Sequence, residues 1–288
     1  MLRRHAVSLL LGSAAGLAAK NRASLARFLD PGMGSVLIVD VAERRLLATN
    51  GLTAAGATLA APGSTIKPLV LAALLQRGKL GEEDPFYCPA KLEIERRRFD
   101  CTHPSLPVPM VPHLALAYSC NCYVAHAAER LAKGELAEEL TAAGLATRSE
   151  ITGPDEITGT VETELSGDGQ KIQALGETGV QVTPVGLVLA YRQLALHATR
   201  AQMRVVIEGL EEAVEFGTAQ NARIAGVKVA GKTGTTRNGR QSIAWFAGFC
   251  PSRSPEVVVA VMVAGRSGGA DAAPIAAQVL AAYRGHAL

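Results

Sequence analysis

Three short stretches carry residues that could do chemistry together: Gly63-Ser64-Thr65-Ile66-Lys67-Pro68, Ser119-Cys120-Asn121 and Lys232-Thr233-Gly234-Thr235. Ser64 and Lys67 stand three residues apart, so a helix puts them on one face. Pro62 and Gly63 break the chain ahead of them, and an apolar run from Leu69 to Leu75 follows. That is the pattern of a helix that begins near Ser64 and enters a core. A serine hydroxyl there lies at the positive end of the helix dipole. A neighbouring lysine takes its proton if burial or a second cation lowers the amine pKa. Pro68 suits a first turn, which has little use for an amide hydrogen. The plain alternative is a serine cap followed by a surface lysine, and Ser-x-x-Lys alone arises roughly once by chance in a chain of this size.

The other two stretches decide between these readings. Ser119-Cys120-Asn121 falls at a break between helical patterns, where side chains can project into a cleft. Lys-Thr-Gly is rarer, expected by chance in roughly one such chain in ten or fewer. It closes a strand pattern here, and Gly234 would let an acyl substrate lie against the strand edge.

The elements needed to hold these stretches are legible. Residues 34–41 are a β-branched run, and 44–49 answer it after Ala42-Glu43, so the two read as a hairpin. A small-residue stretch, 51–62, leads to the Ser64 helix, and 82–110 is a loop-rich connection. Residues 113–131 read as a helix interrupted near Ser119, and 135–143 as a helix stopped by Gly144. A loop over 153–169 follows. Thr183 and Pro184 open a strong helix to His197, and 205–215 is a further amphipathic helix. The period then changes: 227–233, 242–249 and 256–264 read as strands, and 271–283 as a closing helix. Strands gathered at both ends with helices between them predict an α+β fold: an antiparallel sheet of about five strands covered by helices, with an inserted helical lobe. Residues 27–288 form one unit in this reading.

The formal charge of +3 over 288 residues is small and evenly spread, which gives no footing for nucleic acid. Residues 1–19 differ from the rest. Arg3, Arg4 and His5 precede an uncharged stretch over 6–19 that ends among small residues, a signal-peptide pattern or an N-terminal anchor. The stretch is short of the roughly twenty residues that span a bilayer. An exported protein is expected, periplasmic or on the outer face of the cytoplasmic membrane, touching the membrane only through an uncleaved N-terminus. Cys88 and Cys101 bracket a short segment and are expected to form a disulfide. Cys120 and Cys122 are two apart in a helical context and should point different ways, while Cys250 fills core space. Cys88, Cys101 and His103 lack a recognisable fourth ligand for zinc, so neither a metal nor any other cofactor is expected.

In this order the three motifs resemble the signature of the transpeptidase domain of penicillin-binding proteins, within the serine D,D-peptidase and β-lactamase superfamily. Gln181-Val182-Thr183-Pro184, Gly217-Thr218-Ala219 and Ala244-Trp245-Phe246-Ala247-Gly248-Phe249 are similar to further family features. The resemblance implies a Ser64 acyl-enzyme formed on D-alanyl-D-alanine stem peptides of peptidoglycan, with penicillins and other β-lactams as acylating inhibitors. It implies Lys67 as base for acylation, Ser119 as proton relay and Asn121 as a holder of Lys67 and the substrate amide. Lys232, Thr233 and Thr235 would bind the substrate carboxylate, and the amides of Ser64 and Thr235 would form the oxyanion hole. The motifs do not choose between transpeptidation and carboxypeptidation. A β-lactamase shares the acylation step, and Glu162-Thr163-Glu164-Leu165-Ser166 has a faint similarity to a deacylation loop. A non-catalytic β-lactam sensor is the remaining alternative.

Overall fold

The computed structural model describes residues 25–288 apart from 31, 150 and 240. The signal-peptide expectation for residues 1–19 lies outside the described residues. Strands β1 (Gly34–Asp40) and β2 (Leu46–Asn50) form the expected antiparallel hairpin. A short helix, α1 (Leu52–Ala57), then occupies part of the small-residue stretch. A 3-10 turn over Gly63–Ile66 runs straight into α2 (Lys67–Gln76), whose first eight residues are all buried. A long strap follows, holding the two-residue ladder of Glu93–Ile94 with Arg97–Arg98 and an antiparallel bridge between Phe86 and Met110. The helical part comprises α3 (Pro112–Ala117), α4 (Asn121–Ala128), α5 (Glu135–Ala142), α6 (Gly167–Ala174), α7 (Pro184–Leu196) and α8 (Arg204–Glu215). Thr183 caps α7 as expected, its Oγ1 accepting from the Gly186 amide at 3.0 Å. Strands β3 (Ala230–Asn238), β4 (Gln241–Cys250) and β5 (Val257–Ala264) and helix α9 (Ala273–Arg284) complete the chain.

The five strands form one antiparallel sheet in the order β2-β1-β5-β4-β3. Its two faces follow the two-residue period of the strands. Leu37, Val39, Trp245, Phe249, Val258 and Ala260 face the core shared with α2, α4 and α7. Val36, Ile38, Phe246, Val259, Val261 and Val263 face the core beneath α9. Each such aliphatic or aromatic side chain contributes about 1.5–3 kcal/mol on burial, so a one-residue slip of β4 or β5 is strongly disfavoured.

Two elements differ from the sequence reading. Helix α6 lies partly in the segment read as loop. Its glycines and charged residues hide it, and buried amides rather than an apolar stripe hold it in place. Gln170 Nε2 donates to Ala128 O at 2.8 Å and Leu131 O at 3.0 Å, and Gln173 Nε2 to Glu162 O at 2.9 Å and Gly179 O at 2.8 Å. Strand β3 begins later and runs longer than 227–233, because polar residues Thr235 to Arg237 pair with Ala244 to Ser242 on β4. Lys232-Thr233-Gly234 therefore lies inside the strand rather than at its end.

The β4–β5 connection is tied to α8 by Glu211, whose carboxylate accepts from Arg253 Nε and Nη2, both at 2.7 Å, and from Ser252 Oγ at 2.5 Å. Burial works against this charge, but the Arg253 and Ser252 hydrogen bonds more than offset it and hold the Glu211 carboxyl below its ordinary range. A depressed folded-state pKa gives stability that is present above the unfolded value of about 4.3 and lost as pH falls through the folded one. Glu211→Gln should cost about 1–2 kcal/mol at neutral pH, or about 3–6 °C in Tm, after allowance for the half-exposed arginine. Its melting curve should converge with that of the native chain as pH falls through the depressed folded-state pKa of Glu211. An undiminished gap there would refute this account of Glu211.

Candidate active site

Ser64 is the second residue of the 3-10 turn and is half-buried. The sheet holds the backbone around it. Trp245 Nε1 and Thr236 Oγ1 both donate to Ala61 O at 3.1 Å, and the buried Tyr191 hydroxyl donates to Thr65 O at 2.7 Å. A Cβ added to Gly234 would stand 2.6 Å from Pro62 O and 3.3 Å from Thr65 N. The missing side chain of Gly234 thus admits the Ser64 segment itself, a use beyond the substrate clearance expected of it. Gly63 takes a positive φ of 53°, and a Cβ there would stand 3.2–3.3 Å from the Thr235 backbone. Ser64 and Thr235 are accordingly brought to neighbouring positions along the β3 edge.

Lys67 follows one turn later, its amide donating to Ser64 O. Its side chain is fully buried, and Nζ donates to Ser119 O at 2.8 Å, to Ser119 Oγ at 3.2 Å and to Asn121 Oδ1. Burial pushes the Lys67 amine down to about 8, against an opposing influence from the nearby cysteines and Glu177. Ser119 occupies the break between α3 and α4 with a positive φ of 58°. That left-handed conformation costs roughly 1–2 kcal/mol for a residue with a side chain, and it turns both Ser119 oxygens toward Lys67. Asn121 Nδ2 donates to Phe99 O at 2.9 Å, which fixes its amide so that Oδ1 faces Lys67. Lys67, Ser119 and Asn121 are thus joined by direct hydrogen bonds, and Ser64 precedes Lys67 by one turn.

On β3, Lys232 is also fully buried, and Nζ donates to Thr218 Oγ1 at 3.1 Å and Thr233 O at 3.2 Å. Burial, and secondarily the Lys67 ammonium, pushes the Lys232 amine well below its ordinary range. The Thr233 hydroxyl lies 3.1 Å from that of Thr218, while Thr235 is exposed, its Oγ1 accepting from the Gly268 amide at 3.0 Å. Lys232 therefore meets the Thr218 hydroxyl, which in turn lies against that of Thr233. Thr218 had been noted only as part of a similar triplet. Its amide donates to Ala117 O at 3.1 Å, which ties Thr218 to the end of α3.

Glu177 was not singled out by the sequence reading. Burial raises its carboxyl pKa, with Arg97 and Lys67 opposing. No local sequence signal marks it; its place follows from the preceding Gly176, whose carbonyl accepts from Gly63 N at 2.8 Å. Glu164, within the faint deacylation-loop similarity, instead faces solvent and pairs with Lys133 at 2.7 Å. The cysteines correct two expectations. Cys88 and Cys101 are free thiols with Sγ atoms 3.6 Å apart, far beyond a disulfide bond of about 2.05 Å. Cys120 and Cys122 both turn toward Cys101 Sγ, at 3.7 and 3.5 Å, because the break at Ser119 gives Cys120 an extended cap conformation instead of a helical one.

A hydroxyl at a helix start, a buried amine of lowered pKa beside it and a hydroxyl-lined strand edge backed by a second amine are the equipment of serine acyl transfer. The chain belongs to the penicillin binding protein transpeptidase domain family, whose model matches residues 34–281. It is 27% identical over 268 residues to Stage V sporulation protein D of Bacillus subtilis, an alignment covering 76% of this chain and 41% of that protein. It is 38% identical over 96 residues to Peptidoglycan D,D-transpeptidase PbpA of Mycolicibacterium smegmatis, covering 30% of this chain and 20% of that one. The chain thus spans less than half the length of either relative. Among solved structures it superposes on Pseudomonas aeruginosa PBP2 in complex with WCK 5153 with a TM-score of 0.81 and 20% identity, covering 91% of this chain and 73% of that one. It superposes on the D,D-transpeptidase domain of a peptidoglycan glycosyltransferase from Eggerthella lenta with a TM-score of 0.80 and 19% identity, covering 93% and 82%. Both share its fold.

Proposed function

We propose that this chain is a serine D,D-acyltransferase acting on D-alanyl-D-alanine peptides of peptidoglycan through a Ser64 acyl-enzyme. The observation that carries this reading is the fully buried Lys67, pinned by Ser119 and Asn121 one turn from Ser64, with a pKa of about 8. An amine titrating there is neutral in a useful fraction of molecules near neutral pH and can accept a hydroxyl proton. Ser64 Oγ attacks the penultimate D-alanine carbonyl while its proton passes to Lys67. The amides of Ser64 and Thr235 stabilise the oxyanion. As the C–N bond breaks, Ser119 relays a proton from Lys67 to the departing D-alanine amine. The Lys232 amine, donating to the Thr218 hydroxyl, together with the Thr233 and Thr235 hydroxyls, holds the substrate carboxylate. An amine from a second stem peptide or water then takes the acyl group, giving transpeptidation or carboxypeptidation. A strained β-lactam amide enters the same sequence but keeps its leaving amine tethered. Peptidoglycan lies outside the cytoplasm, so this reading goes with export of the chain.

The test is intact-mass measurement over time after mixing the chain with benzylpenicillin. A persistent adduct mapping to the Ser64 peptide is expected. An adduct that disappears within seconds as hydrolysed drug accumulates would replace this reading with a β-lactamase, and no adduct at all would refute the acyl-enzyme. Synthetic D-Ala-D-Ala peptides, with and without an acceptor amine, then separate the two fates of the acyl group.

A further inference from the structure

The four cysteines beside the catalytic residues come from two separate parts of the chain. Cys88 and Cys101 belong to the strap between α2 and α3, and Cys120 and Cys122 to the start of α4. Their Sγ atoms converge: Cys88–Cys101 is 3.6 Å, Cys88–Cys120 3.5 Å, Cys101–Cys120 3.7 Å and Cys101–Cys122 3.5 Å. These spacings are far too long for disulfides. Thiolates each about 2.3 Å from a tetrahedral zinc ion stand about 3.8 Å apart, close to the distances found. Backbone amides also point at the sulfurs, as they do where thiolate charge is to be stabilised: Ala90 N donates to Cys88 Sγ at 3.3 Å and Tyr123 N to Cys120 Sγ at 3.4 Å. At the edge of the cluster, His103 Nε2 is buried without a partner, and it lies within 4.8 Å of the Cys88, Cys101 and Cys120 sulfurs. Its Nδ1 is engaged with Pro104 O at 2.8 Å.

We infer that Cys88, Cys101, Cys120 and Cys122 form a zinc site that clips the strap to the start of α4. The sequence offered Cys88, Cys101 and His103 as donors there; the fold adds Cys120 and Cys122, and the four sulfurs make up the set without His103. Four sulfur donors in a tetrahedral arrangement select zinc over hard cations such as magnesium or calcium. Each thiol loses its proton on coordination, so binding is weakened by acid. With four protein ligands the ion is closed to substrate and acts structurally. Its position still matters to the groove. Cys120 sits between Ser119 and Asn121, and the Asn121 amide is oriented by Phe99 O, two residues before Cys101. The clip therefore positions the two groups that hold Lys67.

The full chain, purified without chelator, should contain one zinc per molecule by elemental analysis, and so should Ser64→Ala, which separates this site from the acyl-enzyme reading. Replacement by Co²⁺ should give the thiolate charge-transfer and visible bands of a tetrahedral four-sulfur site. Cys122→Ser should lose the metal at least tenfold more readily to a competing chelator, whereas His103→Gln should retain it. If His103→Gln loses the ion and Cys122→Ser keeps it, the four-thiolate assignment is overturned in favour of three thiolates and a histidine. A native chain that takes up neither zinc nor cobalt, whether its thiols titrate as free or are found as disulfides, overturns the site itself. Where Cys122→Ser fails to fold, the stoichiometry and cobalt spectrum of the native chain still decide.

Discussion

Lys67→Met is expected to form the benzylpenicillin adduct about a thousandfold more slowly than the native chain, and Ser64→Ala not to form it at all. Methionine nearly matches the lysine stem in length, so the turn that presents Ser64 should survive. Two stability effects then oppose each other. The substitution removes a fully buried amine, which relieves its desolvation, but it strands Asn121 Oδ1 and Ser119 O, which the amine had satisfied. Each effect is on the order of 1–3 kcal/mol, so the net change in Tm should be a few degrees at most. The rate loss therefore reports the chemistry. A second readout separates a base from a mere spacer. The neutral amine is the reactive form, so native acylation should climb with pH through about 8, and this climb should vanish in Lys67→Met. A variant that keeps the pH dependence, or acylates within tenfold of the native rate, would place the base elsewhere.

The groove was legible to different depths in different places. Ser64, Lys67, Ser119 and Asn121 could be grouped because each motif is local, and a helix start or a helix break fixes its geometry within a few residues. Strands β4 and β5 were legible because Val257 to Val263 and Ile243 to Phe249 bury both faces in long apolar runs. Polar tertiary contacts left no comparable signal. Nothing in the spacing of Gln170 and Gln173 announces that their amides cap carbonyls from other segments. Thr218 acquires its place beside Lys232 only because its amide meets Ala117 O, 101 residues earlier in the sequence. The cysteines are the sharpest case. A two-residue spacing in a regular helix sends side chains apart, and the break at Ser119 undoes that inference by making Cys120 the extended cap of α4 rather than a helical residue. Lys232 was recognised by its motif, whereas its complete burial behind two threonine hydroxyls depends on how α3 and α8 pack against the strand.

Gly176→Ala should lower Tm by about 10 °C and depress acylation further than the loss of folded protein explains, whereas Gly78→Ala should cost only about 2–4 °C. Both glycines have a positive φ, 77° and 65°, so both alanines incur the left-handed penalty of about 1 kcal/mol. Their surroundings differ. A Cβ on Gly78, just past the end of α2, meets nothing within 4 Å. A Cβ on Gly176 would stand 2.1 Å from Gly63 O and 2.7 Å from the Gly63 carbonyl carbon, and both atoms belong to backbone that cannot rotate away. Relieving that overlap adds a further 1–3 kcal/mol of overpacking. It also strains the hydrogen bond from Gly63 N to Gly176 O, 2.8 Å long, which holds the residue immediately before the nucleophile. Displacing Gly63 moves Ser64 away from the Thr235 edge, and misplacement by about 1 Å at a reacting centre can cost a hundredfold in rate. The discriminating measurement is acylation rate per folded molecule at a temperature where both variants are fully native. A clear deficit in Gly176→Ala alone means that this backbone contact aims the serine. Equal rates would mean that the loop absorbs the extra methyl and that the close approach serves only to pack the fold.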